Sequence, residues 1–245
     1  MSLDKKFEDL FLNVSIKAAL SSYHFVGKKD KIAADKSAVD SMRNKLNEIE
    51  MRGKVVIGEG ELDEAPMLYI GETLGTMNGP ELDIAVDPLE GTNFAANNLP
   101  GALSVIAVAE KSNLFSAPET YMNKISANVP SEGIIELDYS VKKNITNLAD
   151  YKNKQPNELS ACILDRPRHK KIIEELRNLK VNLKLISDGD VSGALLVSDK
   201  KYNIDIFMGI GGGPEGVLAA SALDAFNCFF PVSYTHLTLP TRFSV

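Results

Sequence analysis

Five times along this chain a short apolar run ends in a tight cluster of acids, arginines or glycines. KVVIG (54–58) runs into Glu59-Gly60-Glu61-Leu62-Asp63-Glu64, and LDIAVD (82–87) runs into Pro88-Leu89-Glu90-Gly91-Thr92. LSACIL (159–164) leads to Arg166-Pro167-Arg168-His169-Lys170-Lys171, and VNLKLI (181–186) to Asp188-Gly189-Asp190. NIDIFMG (203–209) opens the run Gly209-Ile210-Gly211-Gly212-Gly213-Pro214-Glu215-Gly216. Short apolar runs bounded by such breakers read as buried strands. Ile172, Ile173, Leu176 and Leu179 between two of them keep helical spacing, and the segment after Pro214 is helical again. Strand–helix alternation predicts an α/β, or layered α+β, fold with its sites at strand ends.

The remaining pattern fills in this frame. Phe7, Leu10, Phe11, Val14, Ala18 and Leu20 predict a helix over 4–22, and Val39, Met42, Leu46 and Ile49 a second one after Asp35. Residues 62–74 read as helical, and ALSVIAVAE (102–110) and GIIELD (133–138) as strands. Domain bounds are placed at 1–155 for a metal-binding α/β lobe and 156–230 for a partial second α/β lobe. The tail PVSYTHLTLPTRFSV (231–245) continues no preceding period and reads as a foreign or disordered end.

Composition narrows the class of protein. At 245 residues with 44% hydrophobic and 24% charged, the chain is ordinary globular material. No apolar run approaches the roughly 18 residues of a membrane span, and the charged N-terminus lacks a signal core, so the expected compartment is the cytoplasm. A net charge of −6 argues against a nucleic-acid binder. Cys162 and Cys228 have no metal-type spacing, and Cys162 in its apolar run reads as a buried structural thiol.

Asp87-Pro88-Leu89-Glu90-Gly91-Thr92 can aim two carboxylates and a carbonyl at one point, the oxygen-rich geometry that Mg²⁺ or Mn²⁺ takes. Alone it is equally a polar turn. The acids after KVVIG repel one another unless a cation or solvent relieves them. Glu215, after the glycine run, could add a third carboxylate. That run lacks the lysine and hydroxyl of a P-loop. Arg166 and Arg168 could grip phosphate, and Asp188 and Asp190 could accept sugar hydroxyls. Two cations, a phosphate and a polyol would account for all five clusters together.

DPLEGT resembles the metal-binding signature of the lithium-sensitive phosphatase superfamily, which includes fructose bisphosphatases and inositol monophosphatases. VIGEGELDEAPMLYIGE, GKKDKIAAD, APETYM, RPRHKK, SDGDV and GIGGGPEGV are similar to the class II (GlpX-type) fructose-1,6-bisphosphatases, from about residue 7 to 229. The resemblance implies the layered fold of that superfamily, with its second half incomplete, since family members continue past residue 230 where this chain carries the unrelated tail. It also implies hydrolysis of the 1-phosphate of fructose 1,6-bisphosphate, a step of gluconeogenesis, with two Mn²⁺ or Mg²⁺ ions. Related enzymes of photosynthetic bacteria also take sedoheptulose 1,7-bisphosphate, so a bifunctional bisphosphatase is an alternative the resemblance leaves open, and a homo-oligomer is the implied assembly. By motif match, Asp35 and Glu59 would hold one metal, and Asp87, Glu90 and Glu215 the other. Glu90, Gly91, Thr92, Tyr121, Arg166, Pro167, Arg168, Asp188, Gly189, Asp190 and Gly212 would line the substrate. Thr92, with Glu61 or Asp63, would orient the attacking water, and Lys31 and Arg168 would offset phosphate charge. An inert fragment that binds metal or sugar phosphate without turnover is the competing expectation.

Overall fold

The structure, a computed structural model, describes residues 5–58, 68–118, 120–130 and 132–238. It divides into two compact units, residues 1–117 and 118–245.

In the first unit α1 (Lys6–Tyr23) and α2 (Lys31–Asn47) pack against one another and on a four-stranded sheet. Its order is β2 (Thr73–Leu74), β1 (Arg52–Ile57), β3 (Glu81–Glu90) and β4 (Leu103–Glu110). β1 and β3 run parallel, while β2 and β4 pair antiparallel to them. The helices form because their apolar residues recur every three or four positions. Phe7, Phe11, Val14 and Ala18 of α1, and Ala34, Ala38, Met42 and Leu46 of α2, close a core over Val55, Leu82, Ile84 and Val86. The side chain of Asp30 caps α2 by accepting from the Ala33 N–H at 2.9 Å, so Asp35 lies inside the helix, one turn from its start.

The second unit holds a five-stranded sheet in the order β7 (Asn182–Ile186), β6 (Ser160–Leu164), β8 (Ile206–Gly212), β5 (Thr120–Ala127) and β9 (Val232–Thr238). β7, β6 and β8 are parallel, and β5 is antiparallel to β8 and β9. Ile145, Leu148 and Ala149 of α4 (Val141–Lys152), with Ile173 and Leu176 of α5 (Lys170–Asn178), cover Ile125, Ala127, Ile163, Ile206 and Met208. Residues of the opposite parity meet α6 (Asp190–Leu195) and α7 (Gly213–Ala225) instead. The Ser126 hydroxyl donates to the Ala194 carbonyl at 3.0 Å, and Phe207 lies beneath Gly193. The unit is therefore a helix–sheet–helix sandwich.

Several sequence expectations are corrected. The boundary falls after Ala117 rather than at 155, because β5 joins β8 and β9 and α4 joins their core. Residues 68–74 hold a turn and β2, not a helix; the rest of that expected helix, 62–67, lies outside the described residues. Residues 133–138 form turns, closed by Asn144 of α4, whose side chain accepts from the Glu136 N–H and donates to the Glu136 carbonyl. Pro88 does not end its strand: β3 runs on to Glu90 through an irregularity in its pairing with β4. Gly209 to Gly212 are strand rather than loop, and α7 begins directly at Gly213. In the tail expected to be foreign or disordered, Val232–Thr238, with its β-branched and aromatic residues Val232, Tyr234, Thr235 and Thr238, takes an edge position on β5. Residues 239–245 lie outside the described residues.

Candidate active site

In the first unit β3 carries half-buried Asp87 and buried Glu90. Gly91 follows in the left-handed region at φ +78°, where a Cβ would lie 2.9 Å from the Phe94 ring, and so turns the chain into α3 (Thr92–Ala96). Thr92 is thereby the first helical residue after the two carboxylates. α2, which carries Asp35, packs on both β3 and α3. Asp35 Oδ1 is buried without a hydrogen-bond partner among the described residues, and burial pushes its carboxyl above the ordinary value. Lys31 is exposed at the start of the same helix. Glu59, Glu61 and Asp63 lie outside the described residues. Among the described residues, no group of three or more His, Cys, Asp or Glu side chains is placed to hold a metal ion. Arg43 of α2 grips Glu72 through Nε at 2.7 Å and Nη2 at 3.1 Å, and so ties the chain after 59–67 to the helix of Asp35.

The second unit gathers five of the expected residues around the C-terminal end of β8. Tyr121 pairs in register with Gly212, and the Arg168 guanidinium stacks 4.9 Å over the Tyr121 ring. Arg168 Nε also donates to the Ile210 carbonyl at 2.8 Å, which fixes the guanidinium on two sides. The Asp190 carboxylate lies against Gly211, where a Cβ would come within 2.0 Å of Oδ2. The Glu215 carboxylate lies over Gly212, where a Cβ would meet Oε2 at 1.9 Å. Gly189 turns the chain into α6 at φ +82°, with half-buried Asp188 before it. Arg166 is turned to its neighbour's carbonyl, Asp165 O, and Pro167 is exposed.

Two residues of this cluster had no assigned part in the sequence. His169 is fully buried; it accepts from the Ile210 N–H at 2.8 Å on Nε2 and lies 2.7 Å from the Leu164 carbonyl on Nδ1. That pairing fixes the neutral Nδ1–H tautomer, and burial lowers its pKa. Lys124 donates to Asp190 Oδ2 from the sheet interior. The periodicity assigns no strand to 120–127, which hid Lys124; the one signal was a lysine among the alternating residues Met122, Lys124 and Ser126. Cys162 is fully buried, and burial first of all pushes its thiol up to about 12.

The sequence model of bacterial fructose-1,6-bisphosphatases, glpX-encoded, matches residues 6–234. The chain belongs to this family. A D-fructose 1,6-bisphosphatase class 2/sedoheptulose 1,7-bisphosphatase of Synechocystis sp. is 44% identical over 231 residues, covering 89% of this chain and 67% of the relative. The Microcystis aeruginosa protein of that name is 45% identical over the same shares. The chain thus spans about two thirds of the length of these fructose-1,6-bisphosphatase relatives. Among solved structures, an inositol monophosphatase–fructose 1,6-bisphosphatase is 13% identical with a TM-score of 0.43, covering 88% of this chain and 83% of that one. An extragenic suppressor from Pyrococcus furiosus is 13% identical with a TM-score of 0.38, covering 79% and 68%.

Proposed function

We propose that the chain hydrolyses the 1-phosphate of fructose 1,6-bisphosphate to fructose 6-phosphate, with two divalent cations, Mn²⁺ or Mg²⁺. The family match over residues 6–234 carries this reading, and the grouping of Tyr121, Arg168 and Asp190 around Ile210–Gly212 supports it.

Cations suit the residues present. A buried carboxylate oxygen without a partner, as on Asp35, is costly as an anion unless a positive charge offsets it. On sequence resemblance Asp35 and Glu59 would hold one cation, and Asp87, Glu90 and Glu215 would be the ligands of the other. Bound there, divalent cations would supply charge neutralisation and lower the pKa of a bound water. The chain's own groups position the reactants. Arg168, fixed by Tyr121 and the Ile210 carbonyl, presents a planar donor fork to a phosphate oxygen pair. Asp188 and Asp190 accept sugar hydroxyls, Gly189 and Gly212 line the substrate on sequence resemblance, and the missing Cβ of Gly212 leaves room for the Glu215 carboxylate. Arg166 and Pro167 line the same phosphate. Thr92, with Glu61 or Asp63, orients the attacking water, and Lys31 offsets charge. Phosphoryl transfer needs positioning and electrostatics more than a covalent nucleophile, and none is assigned.

Phosphate release from fructose 1,6-bisphosphate, measured with and without Mn²⁺ beside an Asp87→Ala variant, tests the reading. Mn²⁺-dependent release lost in the variant is the expected result; no release from folded wild-type protein overturns it. The names of the cyanobacterial relatives favour sedoheptulose 1,7-bisphosphate as a second substrate, open to the same assay. A homo-oligomer, implied by the family resemblance, is checked by light scattering.

A further inference from the structure

Lys124 lies in the interior of the second sheet with its side chain 1% exposed, a place where an ammonium group survives only beside a compensating charge. That charge is Asp190, whose side chain is 11% exposed and whose Oδ2 accepts from Lys124 Nζ. The surrounding chain leaves room for the pair. Gly211 of β8 clears the carboxylate, since a Cβ there would stand 2.0 Å from Oδ2 and 2.6 Å from Cγ. Gly216 of α7 clears the lysine, since its Cβ would meet Lys124 Cε at 3.3 Å and Met122 Sδ at 2.8 Å. Two glycines of the run Gly209 to Gly216 thus house an ion pair contributed by β5 and α6. The other carboxylate oxygen, Asp190 Oδ1, is buried and has no hydrogen-bond partner among the described residues.

We propose that Lys124 is a positioning residue for the sugar site, holding the Asp190 carboxylate fixed against Gly211 so that Oδ1 accepts a hydroxyl of the sugar phosphate. This rests on the reading of Asp190 as a sugar-binding group given above. A carboxylate held by a buried ammonium keeps one orientation, and a carboxylate acceptor makes a stronger hydrogen bond to a hydroxyl than a neutral one does. A purely structural ion pair would behave otherwise, because neutral partners of similar shape replace such pairs with little consequence.

The two roles separate in a double-mutant cycle on the full chain with Mn²⁺ present. Lys124→Met, Asp190→Asn and the double variant are compared by calorimetric binding of fructose 6-phosphate and by KM and kcat for the bisphosphate. Each single change is expected to weaken fructose 6-phosphate binding about tenfold, as for one hydrogen bond to a charged group, with the loss falling mainly on KM. The double variant is expected to bind within about twofold of Asp190→Asn and to melt above Lys124→Met. Where Lys124→Met does not fold, the comparison of Asp190→Asn with the double variant decides. Binding at wild-type strength by folded Lys124→Met or by Asp190→Asn overturns the proposal, as does a double variant far weaker than Asp190→Asn. Wild-type protein that binds fructose 6-phosphate and releases no phosphate refutes the reaction proposed above and leaves this cycle intact.

Discussion

Asp35 shows at the level of one residue how burial and function oppose each other. Its carboxyl is pushed up by desolvation, so the charged form weakens the metal-free fold, and the loss is complete once pH has risen through the raised value. Asp35→Asn is therefore expected to melt above wild type in EDTA at neutral pH, yet to lose the stabilisation that Mn²⁺ gives; calorimetric scans with and without metal check both halves. His169 predicts the opposite slope. Burial first, and then Arg168, lower its pKa below 6.5, so the unfolded chain takes up its proton at higher pH than the folded one. Stability is expected to fall as pH drops below about 6.5, by at most about 1.4 kcal/mol per pH unit from this one group. Denaturant melts from pH 7.5 to 5 should show that slope, and His169→Gln should flatten it. Of these two residues only Asp35 was legible, and only through its motif. His169 sat in the basic run Arg166 to Lys171, where nothing local marks it as buried until β8 is placed beside it.

At the scale of elements, the second sheet is fastened at the end opposite the site. Asp205, just before β8, accepts from Lys152 at 2.8 Å, Lys154 at 3.2 Å and the Ser160 N–H at 2.9 Å. Burial opposes ionisation there, but these donors together hold the carboxyl below its ordinary value, so its contribution is lost as pH falls through that lowered value. Asp205→Asn is expected to cost about 1–3 kcal/mol in denaturant unfolding, since it strips a partner from two lysines at once. The helices α1, α2 and α5 follow from local period, and the strands β1, β4, β6 and β7 from short apolar runs bounded by breakers. β5 and α4 escaped that reading for different reasons. β5 alternates polar and apolar residues on both faces, with Lys124 and Ser126 turned inward and satisfied by α6. α4 is anchored by buried Asn144, a residue that in sequence alone signals a turn.

For the whole molecule, the prediction concerns cations. Ligands that bind only the folded chain stabilise it, by about 2.7 kcal/mol at a hundred times Kd, which for a chain of this size is a rise of about 5–10 °C in Tm. Mn²⁺ is expected to produce such a rise, EDTA to reverse it, and Asp87→Ala to abolish most of it. The sequence by itself determined the α/β class, the family, and the strand ends at which acids, arginines and glycines cluster, because apolar period and short motifs are local properties of the chain. Tertiary structure alone decided that the division falls after Ala117, that Pro88 lies within a strand, and that Arg168, Asp190 and Glu215 meet around Ile210–Gly212. It also decided that Lys124 is buried against Asp190. Those facts depend on pairings between segments far apart in the chain, β5 with β8 and α6 with both, and a lysine's burial follows from what packs around it rather than from its neighbours in sequence.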